Sequence, residues 1–146
     1  MKSTLLACLV SLAFAASAFA EWKTDFAAAQ AAAKKENKLM LLDFTGSDWC
    51  GWCVKMKKDT LDQKAFLDYA ARHLVLVEVD FPQRKKISAA QRKANEALQA
   101  KYGVEGFPTF VIADGNGKEL GRHVGYLKGG PSAFIDKIES LKPKAK

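Results

Sequence analysis

The apolar and polar positions of the chain alternate between two periods. Leu39 to Phe44 and Leu74 to Asp80 are short, nearly continuous apolar runs, the pattern of strands covered on both faces. Between and around them lie segments with helical spacing. Thr24 to Glu36 is alanine-rich, with Thr24 or Asp25 as a cap, Trp22 and Phe26 on the core side and Asn37 as a terminator. Val54 to Lys58 reads as a short helix, and Asp62 opens another carrying Phe66, Leu67, Tyr69 and Ala70. Ser88-Ala89-Ala90-Gln91 is a capping box for a helix to about Tyr102, with Gly103 where it would end. Pro108 to Ile112 predicts a strand, Asp114 to Gly117 a tight turn, and Lys118 to Val124 a strand returning antiparallel. Pro131 or Ser132 starts a last helix with Phe134, Ile135, Ile138 and Leu141 as its apolar stripe. This order predicts an α/β fold, a central mixed β-sheet flanked by helices on both faces.

The chemistry is concentrated between the first strand and the helix that follows it, at Trp49-Cys50-Gly51-Trp52-Cys53. The first N–H groups of a helix lack intrahelical partners and carry partial positive charge, so a thiolate at that end is stabilised. Lowering a thiol from about 8.5 to about 7 takes roughly 2 kcal/mol and leaves it about half ionised at neutral pH. Two intervening residues let the second sulfur reach the first within one helical turn. The pattern predicts a thiol–disulfide oxidoreductase. A bridge closing so short a loop adds little stability, so a purely structural role explains the pair poorly. Zinc wants four ligands, and two thiols with two distant histidines, His73 and His123, are a poor set. No metal and no cofactor are expected.

Residues 1–20 carry the marks of a cleavable export signal: Lys2, an apolar core from Leu5 to Phe14, and the small-x-small Ala18-Phe19-Ala20. The expected domain is therefore 21–146. The third cysteine, Cys8, lies in this leader; Leu5-Leu6-Ala7-Cys8 looks like a lipobox, but almost no apolar core precedes it. The apolar run is short for a membrane span. Export implies a periplasmic or secreted protein in oxidising surroundings. The formal charge is +7, one unit of it from Lys2, and the lysines are scattered among acids. That is the pattern of a solvated surface, and neither nucleic acid nor stable membrane insertion is expected. Lys55, Lys57 and Lys58 likewise read as solvated.

Asp43-Phe44, the Trp-Cys-Gly-Trp-Cys motif, Tyr102-Gly103-Val104 ahead of Gly106-Phe107-Pro108-Thr109, and the Gly121 to Gly125 region together resemble the thioredoxin superfamily. The stretch from Asp43 to Cys50 is similar to small exported thioredoxin-like proteins related to bacterial disulfide-reductase domains. The resemblance implies a thioredoxin-like fold and a redox disulfide between Cys50 and Cys53. In it Cys50 is the exposed attacking thiolate, and Cys53 the buried resolving thiol. It implies a cis Pro108, with the backbone of Phe107 beside the disulfide for an extended substrate, and Trp49 and Trp52 lining the substrate surface. Asp43 matches the family's buried acid, a proton relay to the resolving thiol. One extra residue between that acid and Cys50, and Trp52 between the cysteines, depart from thioredoxin. The implied activity is exchange with protein disulfides, in the reducing direction, by a monomer supplied by a membrane electron-donor oxidoreductase. A disulfide-forming oxidant, and a peptide-binding or chaperone-like module without turnover, are the alternatives.

Overall fold

In the computed structural model, residues 19–144 are described. The expected leader therefore lies outside the described residues, save for Phe19 and Ala20. Five strands form one sheet: β1 (Trp22–Lys23), β2 (Leu39–Thr45), β3 (Leu74–Asp80), β4 (Thr109–Ala113) and β5 (Glu119–Val124), in the order β1-β3-β2-β4-β5. β1 and β2 both run parallel to β3, while β4 is antiparallel to β2 and to β5. The sheet is mixed, as the sequence predicts. Among the described residues five α-helices accompany it: α1 (Phe26–Glu36), α2 (Gly51–Met56), α3 (Lys64–His73), α4 (Ala89–Tyr102) and α5 (Gly130–Leu141).

Alternation along β2 divides the core. Met40, Leu42 and Phe44 pack with α1 and α4, through Ala29, Ala33, Leu98 and Tyr102. Leu41 faces the other way, into a second core with Met56, Phe66, Phe110, Phe134 and Ile138. A strand's side chains repeat every second residue, so Asp43 shares Leu41's face, the face on which α2 lies. Phe44 and Phe110 are 0 % and 1 % exposed; truncating a phenylalanine buried to this degree costs about 3–5 kcal/mol.

Local signals account for most element ends. Asp25 caps α1, its carboxylate accepting from Ala28 N at 3.0 Å, and Asn37 ends the helix at φ 52°. Gly103 ends α4 at φ 57°, a backbone conformation that glycine adopts at least cost. Ser88 caps α4 through Gln91 N, but the Gln91 side chain turns to Thr24 O and Asn95, so only half of the predicted box forms.

Two expectations require correction, and one strand adds to them. Trp22 packs against the core, as its core-side reading expects, from β1, a two-residue strand whose only sequence signal is a tryptophan beside a lysine. α2 does not stop at Lys58: it runs on into a π-helical turn, Lys57–Leu61, closed by Asp62 N donating to Lys57 O. Asp62 ends that run instead of opening the next helix, and the extended residue Gln63 precedes α3. An acid that accepts from Lys57 Nζ at 2.8 Å has its side chain committed backwards, away from the following turn.

Candidate active site

β2 delivers the chain to a tight loop, and the loop delivers Cys50 to the first turn of α2. Trp49 N and Cys50 N both donate to Gly46 O, at 3.3 and 2.9 Å. Cys50 is extended (φ −84°, ψ 105°) and is the N-cap of α2, its sulfur accepting from Cys53 N at 3.3 Å. Cys50 and Cys53 are joined as a disulfide with Cα atoms 5.2 Å apart. The sulfur of Cys50 thus sits where helix N–H groups converge, the position that favours a thiolate once the bond is reduced. The expected contrast in exposure is smaller than the sequence suggests, at 8 % for Cys50 against 4 % for Cys53. In the bridged state both sulfurs are covered at the helix start, and the exposed surface beside them belongs to Trp49 (43 %) and Trp52 (59 %).

The loop before Cys50 is held from β3 and the segment after it. Asp80 accepts from Ser47 N at 2.9 Å and Ser47 Oγ at 2.6 Å, and Lys85 Nζ lies 3.4 Å from its carboxylate. Asp48 accepts from three successive backbone N–H groups, Gln83, Arg84 and Lys85, at 2.9, 2.7 and 2.6 Å. These bonds, led by Lys85 N, hold its carboxyl below the ordinary range. Trp49 Nε1 donates to Phe81 O at 2.7 Å, and its ring meets Phe107 edge-on at 6.1 Å. Phe81 stacks on Phe107 at 5.1 Å.

Gly46 is required for this packing, because a Cβ there would sit 2.6 Å from Trp49 Nε1. Gly46→Ala should therefore displace the indole, break its bond to Phe81 and destabilise the protein by about 1–3 kcal/mol. Denaturant unfolding followed by tryptophan fluorescence measures both the stability and the indole's new environment.

Trp52 is anchored on the opposite side. Its ring lies 5.4 Å from Tyr126, whose hydroxyl donates to Asp59 at 2.9 Å, and Lys55 pairs with Asp59 at 2.6 Å while lying over the Tyr126 ring. Two aromatic walls, Trp49 with Phe107 and Trp52 with Tyr126, flank the disulfide. The Phe107–Pro108 peptide bond is cis, with Pro108 buried and Phe107 half-buried. Gly125 N donates to Pro108 O at 2.8 Å, tying this turn to the loop that carries Tyr126.

Asp43 is 7 % exposed, and its Oδ1 has no hydrogen-bond partner. It borders a small cavity of about 10 Å³ together with Cys53, Val54, Lys57, Leu61 and Glu78. Burial, reinforced first by the Glu78 charge, pushes the Asp43 carboxyl up to about 8, against a weaker opposing pull from Lys57. Despite the extra residue ahead of Cys50, Asp43 and Cys53 line the same cavity. Glu78 and Tyr126 carry no site signal in the sequence. Lys57 is exposed, as its solvated reading expects; it is ion-paired with Asp62 and also borders the cavity. His73 is exposed and His123 half-buried on β5. Among the described residues no group of three or more His, Cys, Asp or Glu side chains could hold a metal.

A mixed sheet of this order, presenting a bridged Cys-x-x-Cys at a helix start, defines a thiol–disulfide oxidoreductase of thioredoxin-like fold. The chain belongs to the thioredoxin-like domain family, which residues 26–141 match. It is 42% identical over 125 residues to the disulfide bond reductase DsbH of Chlamydia pneumoniae, covering 86% of this chain and 74% of that protein. A solved DsbH oxidoreductase superposes with a TM-score of 0.79 at 41% identity, covering 86% of each chain. The oxidised C-terminal domain of Neisseria meningitidis DsbD is similar with a TM-score of 0.58 at 25% identity, covering 80% of this chain and 91% of that domain.

Proposed function

We propose that this chain is an exported reductant of protein disulfides, acting through Cys50 and Cys53 in residues 21–146 after removal of residues 1–20. The observation that carries the reading is the Cys50–Cys53 bridge at the N-cap of α2, flanked by two exposed tryptophans. The reducing direction is supported by the likeness to a protein named as a disulfide bond reductase. Cys50 as thiolate attacks a substrate sulfur and forms a mixed disulfide. Cys53 then attacks Cys50, closing the bridge and releasing the substrate as a thiol. Trp49, Trp52, Phe107 and Pro108 form the surface on which an extended substrate lies beside the sulfurs.

Asp43 holds or takes up the proton of Cys53. With its carboxyl at about 8, it is roughly nine-tenths protonated at pH 7, ready to protonate the Cys53 thiolate when a donor opens the bridge. Electrons reach the bridge from a membrane electron-donor oxidoreductase, since a periplasmic or secreted protein has no access to cytosolic reductants. The protein works as a monomer, and no described helix is long and apolar enough to cross a membrane.

Equilibration of the Cys50–Cys53 pair with glutathione buffers tests the direction. A potential near the thioredoxin value of about −270 mV is expected, and one near −120 mV would instead make the protein an oxidant.

A further inference from the structure

Glu78 stands directly beside Asp43. The two are register partners on the parallel strands β2 and β3, so their side chains leave the same face of the sheet about 4.8 Å apart. Both border the cavity that also touches Cys53, and its volume of about 10 Å³ is on the scale of one water molecule. Asp43 is buried with one carboxylate oxygen unbonded, whereas Glu78 is half-buried. Asp43 is only 7 % exposed, and the half-buried carboxylate beside it offers its proton a more open way to solvent.

We propose that Glu78 is the outer station of a two-carboxylate proton path, passing the proton of Cys53 between Asp43 and solvent. This rests on the reading of Asp43 as the proton acceptor of Cys53. In the resolving step Cys53 Sγ–H gives its proton to Asp43 in its ionised form, about one molecule in ten at pH 7. The Cys53 thiolate attacks Cys50 Sγ, the Cys50–Cys53 bond forms, and the Cys50–substrate bond breaks with its electron pair on the departing substrate sulfur. Asp43 passes its proton through the cavity to the Glu78 carboxylate, and Glu78 yields it to water. The two electrons end on the substrate, and both carboxyls return to their starting state.

The charges around the pair suit the exchange. Asp43 faces Glu78 and Asp80 on β3 and Lys57 on the π-helical turn; Glu78 faces Asp80, Lys57, Lys85 after β3 and Asp62 after the turn. Two adjacent carboxylates resist ionising together, so one proton is retained between them and titrates as a property of the pair. Burial and the Asp80 charge raise the Glu78 carboxyl as well, which narrows the gap a proton must cross. Glu78 acts through Asp43, as a positioning partner in the path and not on the sulfurs themselves.

The test is stopped-flow measurement, from pH 5 to 9, of bridge closure from a Cys50 mixed disulfide in wild type, Glu78→Gln, Glu78→Ala and Asp43→Asn. Closure in Glu78→Gln should slow about tenfold at pH 7, a small part of the 10²–10⁴ that a general acid–base group contributes. Its pH midpoint should fall by about one unit as the like charge is lost. Initial attack by Cys50 should be unchanged, and millimolar acetate or formate should restore closure in Glu78→Ala. Closure at the wild-type rate with an unmoved midpoint in Glu78→Gln, while Asp43→Asn is slow, overturns the role of Glu78 and leaves that of Asp43 standing. Slow closure without a midpoint shift or rescue also overturns it, reducing Glu78 to packing. An unaltered rate and profile in Asp43→Asn removes the relay itself, and the inference with it.

Discussion

Cys53→Ser protein mixed with a disulfide-bonded substrate should accumulate a covalent complex through Cys50, visible on non-reducing gels and dissolved by dithiothreitol. Removing the resolving sulfur leaves the first exchange intact and blocks the second, so the mixed disulfide has no internal route to release. Cys50→Ser should form no such complex, and its reductase activity should fall by at least about 10³-fold, the scale on which loss of a covalent nucleophile acts. The asymmetry follows from position. Cys50 is the cap residue at the open end of α2, whereas Cys53 lies a turn inside it, against the cavity that holds Asp43. If Cys50→Ser kept full activity, the protein would be a peptide-binding module using this fold without thiol turnover. Trapping through Cys53 in a Cys50→Ser background would reverse the two assignments.

Asp43→Asn should make the oxidised protein more stable while making it a poorer catalyst. Below the ordinary carboxyl value of 3.8 the group is neutral whether the chain is folded or not, and it imposes no penalty. As pH rises past that value the unfolded chain ionises freely while the folded chain keeps its proton, so stability is lost progressively. The loss levels off only above about 8, where the folded group also ionises. The asparagine variant removes this penalty, so its advantage should grow from about pH 4 to about pH 8 and reach on the order of 4 kcal/mol at pH 7. Urea unfolding of both proteins across that range measures the difference. An advantage independent of pH would mean that Asp43 is ionised in the folded state and not buried as a neutral acid. The same substitution should slow bridge closure by about 10²-fold, as expected of a lost proton acceptor. Higher stability with slower exchange is what a buried acid retained for its chemistry should show.

The stability cost of Asp43 comes from a place in the sheet that its own neighbours in sequence do not reveal. Leu39 to Phe44 announces a buried strand, and the acid within it is conspicuous. Read along the chain, however, Asp43 could equally reach solvent from the end of a strand. Its surroundings come from the register of β2 against β3, which sets Glu78 beside it, and from the π-helical turn, which brings Lys57 to the same cavity. Glu78 interrupts the apolar run of β3 and by itself reads as an outward polar position. Asp48 likewise reads as an ordinary loop residue, yet it accepts three backbone N–H bonds from a segment more than thirty positions away. Tyr126 carries no signal, because a lone tyrosine in a loop acquires meaning only when Trp52 is packed against it.

By itself the sequence determined most of the elements and the reactive pair. Apolar runs of strand length, helix caps, the Asp114–Gly117 turn and two cysteines at helical spacing are local patterns, and their energetics are decided within a few residues. Only the tertiary structure decided which charges share the cavity behind Cys53, which aromatic rings flank the sulfurs, and how little of Cys50 stays open once the bridge closes. These depend on contacts between segments far apart in the chain, and desolvation and Coulomb interactions act through space, whatever the order of the residues.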